Sequence, residues 1–242
     1  MVQQSNKNFI WLCLFDLDTP AHYKHKFDRY SKCCPQFKPV CLALNQDENR
    51  PQIIKEAIQT YIDPKSTYLL TTNLDHYDSI HKDMIQYLQK HVLQNKEEGL
   101  YNFFHGFQFF VNTDLVIETY HPHNRFQSLF VKNESGLQNI NYFCQTQIHH
   151  LFKTIEICLV QPMWLEVVHS DQKRNGLKLT SKIRNSCPKK SLDLSDYGLY
   201  FKLSTKKCYY NAYIIYPQLF IKTIIAKLKK KRLMLLNIVS IF

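Results

Sequence analysis

Residues 9–93 alternate three times between a short apolar run and a helix-compatible stretch, and that alternation leaves few architectures open. Residues 9–15 (FIWLCLF) form an apolar run that stops at Asp16-Leu17-Asp18-Thr19-Pro20. The Thr19-Pro20 pair is a helix start signal, and residues 21–32 follow as a polar, helix-compatible stretch. Residues 37–44 are a second apolar strand. Residues 50–62 carry Ile53, Ile54, Ala57, Ile58 and Tyr61 at helical spacing. Residues 67–74 are a third strand, and residues 79–93 set Ile80, Met84, Ile85, Leu88 and Val92 on one helical face. Strand and helix in strict alternation predict an α/β sheet with parallel strands.

The pattern changes after Glu98. Residues 100–111 and 115–120 read as strands rich in phenylalanine, and residues 127–131 as a shorter one. Phe103, Phe104, Phe107, Phe109 and Phe110 occur too densely for a platform that stacks nucleobases, so they are expected in the core. Residues 155–168 contain another apolar run, interrupted at Pro162 and followed by His169-Ser170-Asp171. Residues 172–195 are polar and basic and read as loop. In residues 220–242, Ile221, Ile224, Ile225 and Leu228 share a helical face beside Lys222, Lys227, Lys229, Lys230 and Lys231. A basic amphipathic segment of that kind suits the surface of a membrane. The chain divides accordingly into a domain of residues 1–175 and a basic extension of residues 176–242.

The formal charge of +11 invites an anionic partner: a nucleic acid, an acidic membrane surface or a phosphorylated substrate. None of the eight cysteines forms a C-x-x-C pair, which speaks against a zinc knuckle or redox motif. Cys13, Cys41 and Cys158 sit in apolar runs and are expected to behave as small buried hydrophobes. The absence of a secretory leader pattern points to a cytoplasmic protein, and no apolar run reaches the ~18–20 residues that cross a bilayer. G-x-S-x-G and P-loop motifs are absent, so serine hydrolase and NTP hydrolase readings lack support.

The third strand runs directly into Asp75-His76-Tyr77-Asp78. Carboxylates at the carboxyl end of a strand lie where α/β sheets bind ligands. Two of them at this spacing can hold a divalent cation against a diphosphate. The plainer reading makes Asp75 or Asp78 the N-cap of the following helix. His149 and His150 are adjacent, so their side chains diverge and make a poor metal pair.

Four stretches in order carry a resemblance: residues 6–20 (NKNFIWLCLFDLDTP), 70–83 (LTTNLDHYDSIHKD), 123–129 (HNRFQSL) and 163–169 (MWLEVVH). Through them the chain resembles a bacterial family of rhamnosyl transferases, nucleotide-sugar-dependent glycosyltransferases of the GT-A fold. The resemblance covers residues 8–175. It implies a GT-A-like, mostly parallel sheet flanked by helices, with a nucleoside diphosphate sugar bound above the strand ends. It also implies a metal held by Asp75, Asp78 and His169, Mn²⁺ or Mg²⁺, with imidazole favouring Mn²⁺. Asp16, Asp18 and Asp75 fall where such folds contact the nucleotide. Relatives read R-L-D-N-D-D around the acidic motif, whereas this chain has Asn73 in place of the arginine and Tyr77 in place of the middle carboxylate. Relatives also carry a strand and helix before the point matched by Asn6, so the sheet is expected to lack its first strand.

The expectation that follows is a metal-assisted glycosyltransferase. It would move a sugar, rhamnose foremost, onto a glycan or lipid-linked glycan, in the cytoplasm or on the inner face of the membrane. If transfer inverts the anomeric centre, a carboxylate must deprotonate the acceptor. Glu118, Glu134 and Glu166 are the candidates, and the sequence does not choose among them. A catalytically inactive member of the same fold is one alternative, motivated by Asn73 and Tyr77. A basic nucleic-acid-binding protein is the other, although no nucleic-acid partner is expected.

Overall fold

The computed structural model describes residues 1–43, 50–111, 114–133, 139–140, 145–159, 161–168 and 193–200. Among these, the elements run β1 (Trp11–Asp16), α1 (Ala21–Cys33), β2 (Phe37–Leu42), α2 (Arg50–Gln59), β3 (Tyr68–Thr72), β4 (Ser79–Ile80), α3 (Met84–Asn95), β5 (Gly99–Asn102), β6 (His105–Phe110), β7 (Leu115–Tyr120), β8 (Ser128–Lys132), α4 (Gln145–Leu151), β9 (Thr154–Glu156) and β10 (Trp164–Val168). The class is α/β, as expected. The chain forms two compact units. The first comprises Met1–Asn73, Lys82–Asn102 and Arg125–Ile157, and the second Leu74–His81, Phe103–Asn124 and Cys158–Phe242.

The first unit holds a parallel pair, β1 with β2, and a sheet of order β3-β8-β5-β9. Phe27 of α1 and Phe37 of β2 are buried together with Cys34, and Trp11, Cys13 and Phe15 of β1 pack against them. The β1–α1–β2 unit is therefore a right-length crossover between parallel strands, closed by its aromatic residues. Burial pushes the Cys13 thiol up to about 12, with Cys34 adding to the shift, which leaves it inert at neutral pH. Cys41, the fifth residue of β2, and Cys158, two residues beyond β9, are exposed, contrary to expectation. In the second sheet, Leu100, Leu129 and Val131 form one apolar face with Ile140 and Ile148 over it. There β3 pairs antiparallel with β8, whereas β5 runs parallel to β9. The mostly parallel sheet of the sequence reading is thus replaced by small mixed sheets. Its third strand takes a partner some sixty positions downstream instead of β1 or β2.

The second unit is a sheet of order β4-β10-β6-β7. Strand β6 lies between a parallel neighbour, β10, and an antiparallel one, β7. Strand alternation gives the sheet two different faces. On one, Phe107, Phe109, Val116, Leu165 and Val167 form a cluster capped by Leu194 and Tyr197. The segment that supplies the cap is fastened by Tyr197 Oη donating to Pro162 O at 2.6 Å and by Ser79 Oγ donating to Tyr197 O. On the other face the Trp164 indole lies flat over Gly106 and donates from Nε1 to Phe103 O at 2.6 Å. A Cβ at residue 106 would stand 2.0 Å from that ring, so the backbone approach requires glycine. The phenylalanines divide accordingly: Phe103, Phe107 and Phe109 are buried, and Phe104 and Phe110 are half-buried.

Two local expectations shift. The helix read over residues 79–93 begins at Met84, because Ser79 and Ile80 are drawn into pairing with β10. Its buried face is Met84, Leu88 and Val92, at the spacing read from the sequence. The strand read over residues 100–111 is two strands, β5 and β6, one in each unit. The boundary expected after residue 175 and the amphipathic segment of residues 220–242 lie outside the described residues. No helix among the described residues is long and apolar enough to cross a membrane.

Candidate active site

The acidic pair of the second unit sits on one tight turn. Asp78 N donates to Asp75 O at 3.1 Å, which closes the four residues Asp75-His76-Tyr77-Asp78. Both aspartates are half-buried, whereas His76 and Tyr77 project to solvent with their ring centroids 3.8 Å apart. Neither aspartate caps a helix. The chain leaves the turn as β4, and the cap position of α3 is Asp83, which makes no side-chain cap bond.

What β4 does to the turn is the informative feature. It pairs antiparallel with β10 through Ser79↔Leu165 and Ile80↔Trp164. One step further, where backbone pairing stops, Asp78 Oδ1 accepts a hydrogen bond from Val167 N at 3.0 Å. The carboxylate thereby extends the ladder with its side chain. A charge-assisted bond from a backbone amide holds it more firmly than solvent would. The turn is consequently anchored beside the carboxyl half of β10, which runs parallel to β6. The carboxyl ends of parallel strands are where α/β sheets present ligand-binding groups.

Two glutamates flank this region on opposite faces of the sheet. Glu118 is opposite Phe107 and Glu166 opposite Gln108. The buried Glu118 carboxylate meets His105 Nε2 at 2.6 Å. Glu166 is half-buried and accepts from Gln108 Nε2 at 2.8 Å. The sequence alone offers both glutamates without separating them, and it does not single out His105 or Gln108. Register supplies what was lacking, since strand alternation alone does not reveal which face of each strand turns toward the other. Glu134, the third candidate, lies outside the described residues. Burial holds the His121 imidazole below its ordinary pKa, with the Glu166 carboxylate acting in the opposite sense and His123 adding to the depression.

The other expected site residues fall as follows. Asp16 and Asp18 belong to the first unit, at the end of β1. Asp16 Oδ1 accepts from Asp18 N at 2.9 Å, a local Asx turn, and Thr19 N donates to Asp16 O at 3.0 Å just before α1. His169 follows directly on β10 in sequence and lies outside the described residues. Among the described residues, no three His, Cys, Asp or Glu side chains are grouped to hold a metal ion. His149 on α4 contacts Gln127 and Thr154, each at 3.3 Å, whereas His150 is exposed, so the two diverge as adjacency dictates.

Comparison with known proteins adds one finding. The model of a family described as "Putative rhamnosyl transferase" matches residues 1–178, most of the chain. No curated protein and no solved structure matches it.

Proposed function

The chain belongs to the putative rhamnosyl transferase family, and from that premise we propose that it is a metal-assisted glycosyltransferase of GT-A type. It takes a sugar, rhamnose foremost, from a nucleoside diphosphate donor and passes it to a glycan or lipid-linked glycan. One observation carries the reading: the Asp75–Asp78 turn, tied through Asp78 Oδ1 to Val167 N beside the carboxyl half of β10.

The donor chemistry fits a hard divalent cation. Two carboxylates share one turn, and His169 stands two positions after Val167 in sequence. Asp75, Asp78 and His169 would hold Mn²⁺ or Mg²⁺, and the cation would neutralise charge on the diphosphate as it leaves. Asp78 keeps the turn against β10, and Asp75 occupies the first position of the same turn. The half-buried setting of both motif aspartates strengthens their attraction to a cation relative to full exposure. The basic segment of residues 220–242 would bring the enzyme to an anionic membrane surface, where lipid-linked acceptors reside.

Titration calorimetry with UDP, GDP and dTDP in the presence of Mn²⁺ tests the reading. Binding of at least one nucleoside diphosphate that vanishes with chelator is expected. No heat with any of them at millimolar ligand would remove the enzyme reading. That outcome would favour a non-catalytic member of the same family. Tyr77 is the feature that favours this second reading: it occupies the middle position of the motif and is 37% exposed, with no carboxylate to offer.

A further inference from the structure

We infer that residues 193–199 form a strap that positions the Asp75–Asp78 turn for ligand binding, with Ser79 and Tyr197 as its positioning residues. The functional unit therefore runs through Leu199, past residue 178 where the family match ends. The ligand that the strap serves rests on the glycosyl-transfer reading above, whereas the bracing of the turn does not. The turn has a narrow foundation. Strand β4 is two residues long and lies at the edge of its sheet among the described residues. Its register with β10 is Ser79↔Leu165 and Ile80↔Trp164. So short a pairing is marginal without further support. Yet the bond from Val167 N to Asp78 Oδ1 requires β4 to be held against β10.

The support comes from the strap. Ser79 directly follows Asp78 and sits opposite Leu165, on the sheet face that carries Phe107, Phe109 and Val116. From there Ser79 Oγ donates to Tyr197 O. The Tyr197 side chain reaches the other strand of the pair, since its Oη donates to Pro162 O, two residues before β10 begins. Tyr197 thus braces β4 with its carbonyl and the approach to β10 with its hydroxyl. His81 adds a tie just beyond β4. Its ring meets the Tyr197 ring edge-on at a centroid distance of 5.3 Å, and its Nε2 stands 3.6 Å from Asp196 Oδ2.

The strap is itself well fixed. Leu194 and Tyr197 are buried in the apolar cluster, and Leu199 packs against it. Backbone bonds from Tyr197 N and Leu199 N to Leu194 O, at 2.9 and 3.1 Å, close it on itself, and Gly198 takes the left-handed conformation that the reversal needs. Burial holds the Tyr197 phenol far above its ordinary pKa, with Asp196 and Glu118 adding to the effect. Oη therefore keeps its proton, and its bond to Pro162, at any working pH. Groups that bind a ligand hold their geometry only when the shell behind them is locked, and here the strap locks the residue next to Asp78.

The experiment compares the full chain with its Ser79→Ala, Ser79→Thr, Tyr197→Phe and Val116→Ala variants. Val116 is buried in the same cluster but lies on β7, at the far side of the sheet from β4, and serves as the control for general stability. The first readout is amide hydrogen exchange by NMR at Val167, whose N–H bonds Asp78, taken relative to Phe107 in the middle of the sheet. Ser79→Ala and Tyr197→Phe should each raise that ratio by about 3–10-fold, the worth of one hydrogen bond. Ser79→Thr keeps the hydroxyl and should return it to within about twofold of wild type. Val116→Ala should speed both amides together and leave the ratio unchanged. The second readout is Mn²⁺-dependent calorimetric affinity for UDP, GDP and dTDP. It should weaken by about 3–10-fold in Ser79→Ala and Tyr197→Phe and stay within about twofold in Val116→Ala. An exchange ratio unmoved in Ser79→Ala and Tyr197→Phe overturns the strap and leaves the glycosyltransferase reading standing. A raised ratio with full nucleotide affinity overturns its service to binding, and an equal loss of affinity in Val116→Ala reduces it to general stability. Wild-type protein that binds none of the nucleotides removes the glycosyl-transfer reading, and the exchange ratio alone then decides whether the strap braces the turn.

Discussion

Two acidic turns follow strands in this chain, and they are held in opposite ways. At the end of β1, Asp16 bonds the amide of Asp18, two residues away, and the loop is finished by backbone bonds from Leu17 N to Leu42 O and Thr19 N to Asp16 O. Everything that shapes that turn is close in sequence or on the neighbouring strand. The turn after β3 is shaped from afar, because Asp78 takes the amide of Val167, 89 positions downstream. The first aspartate serves its own loop, whereas the second serves a sheet and is proposed to serve chemistry as well. Similar local sequences therefore carry different burdens, and substitution should separate them.

The largest effect is expected at Asp78. Replacement by alanine removes the acceptor of Val167 N and leaves a partly buried amide unpaired, which costs about 1–3 kcal/mol. Turnover should fall on the order of 100-fold or more, because the turn loses its anchor and the proposed metal loses a ligand. Asp78→Asn keeps an oxygen for the amide but drops the charge. It should restore stability to within about 1 kcal/mol of wild type while turnover stays low. Chemical denaturation together with nucleoside diphosphate release distinguishes the two. If Asp78→Asn is as active as wild type, the carboxylate is structural and the contrast between the turns collapses to one of distance.

Asp75→Ala comes next. Its backbone oxygen closes the turn and survives the substitution, so the turn itself should persist. Turnover should nevertheless fall on the order of 100-fold, with loss of Mn²⁺-dependent nucleotide binding in calorimetry. Loss of stability comparable to that of Asp78→Ala would show that both aspartates are scaffold. The pair of results thus sharpens the comparison within a single turn, by showing how far each carboxylate serves the scaffold and how far the chemistry.

What could be read from the sequence follows the same division between near and far. The β1–α1–β2 unit was legible because its signals are local: an apolar run, a Thr19-Pro20 start and a second run. The buried face of α3 was legible for the same reason. The partner of β3 was not, since an apolar strand does not announce whether it will pair with β2 or with β8, and β8 was the choice. Residues 79–80 read as helix because their spacing suits one, but pairing with β10 overrode that propensity. At the site, residue types were legible and relations were not. Glu118 and Glu166 look alike in two apolar strands, and only the register Phe107↔Glu118 and Gln108↔Glu166 sets them on opposite faces. Gly106 gave no signal of its own, because its role exists only beneath the Trp164 ring.

The smallest effect is expected at Asp16, and it tests the local half of the comparison. Asp16→Ala deletes the Asx bond to Asp18 N but leaves the backbone bonds of Leu17 and Thr19 in place. The loss should be about 0.5–1.5 kcal/mol, read as a lower midpoint in urea with an unchanged slope. If Asp16 also meets the nucleoside, its removal should weaken nucleoside diphosphate binding by about tenfold or less, since one hydrogen bond is at stake. Asp16→Asn retains the local acceptor and should regain the stability. Affinity that recovers alongside would mean the aspartate acts through the shape of its loop. Affinity that stays low in a fully stable Asp16→Asn protein would mean the charge itself meets the ligand, and the self-contained turn would then carry two duties, just as Asp78 does.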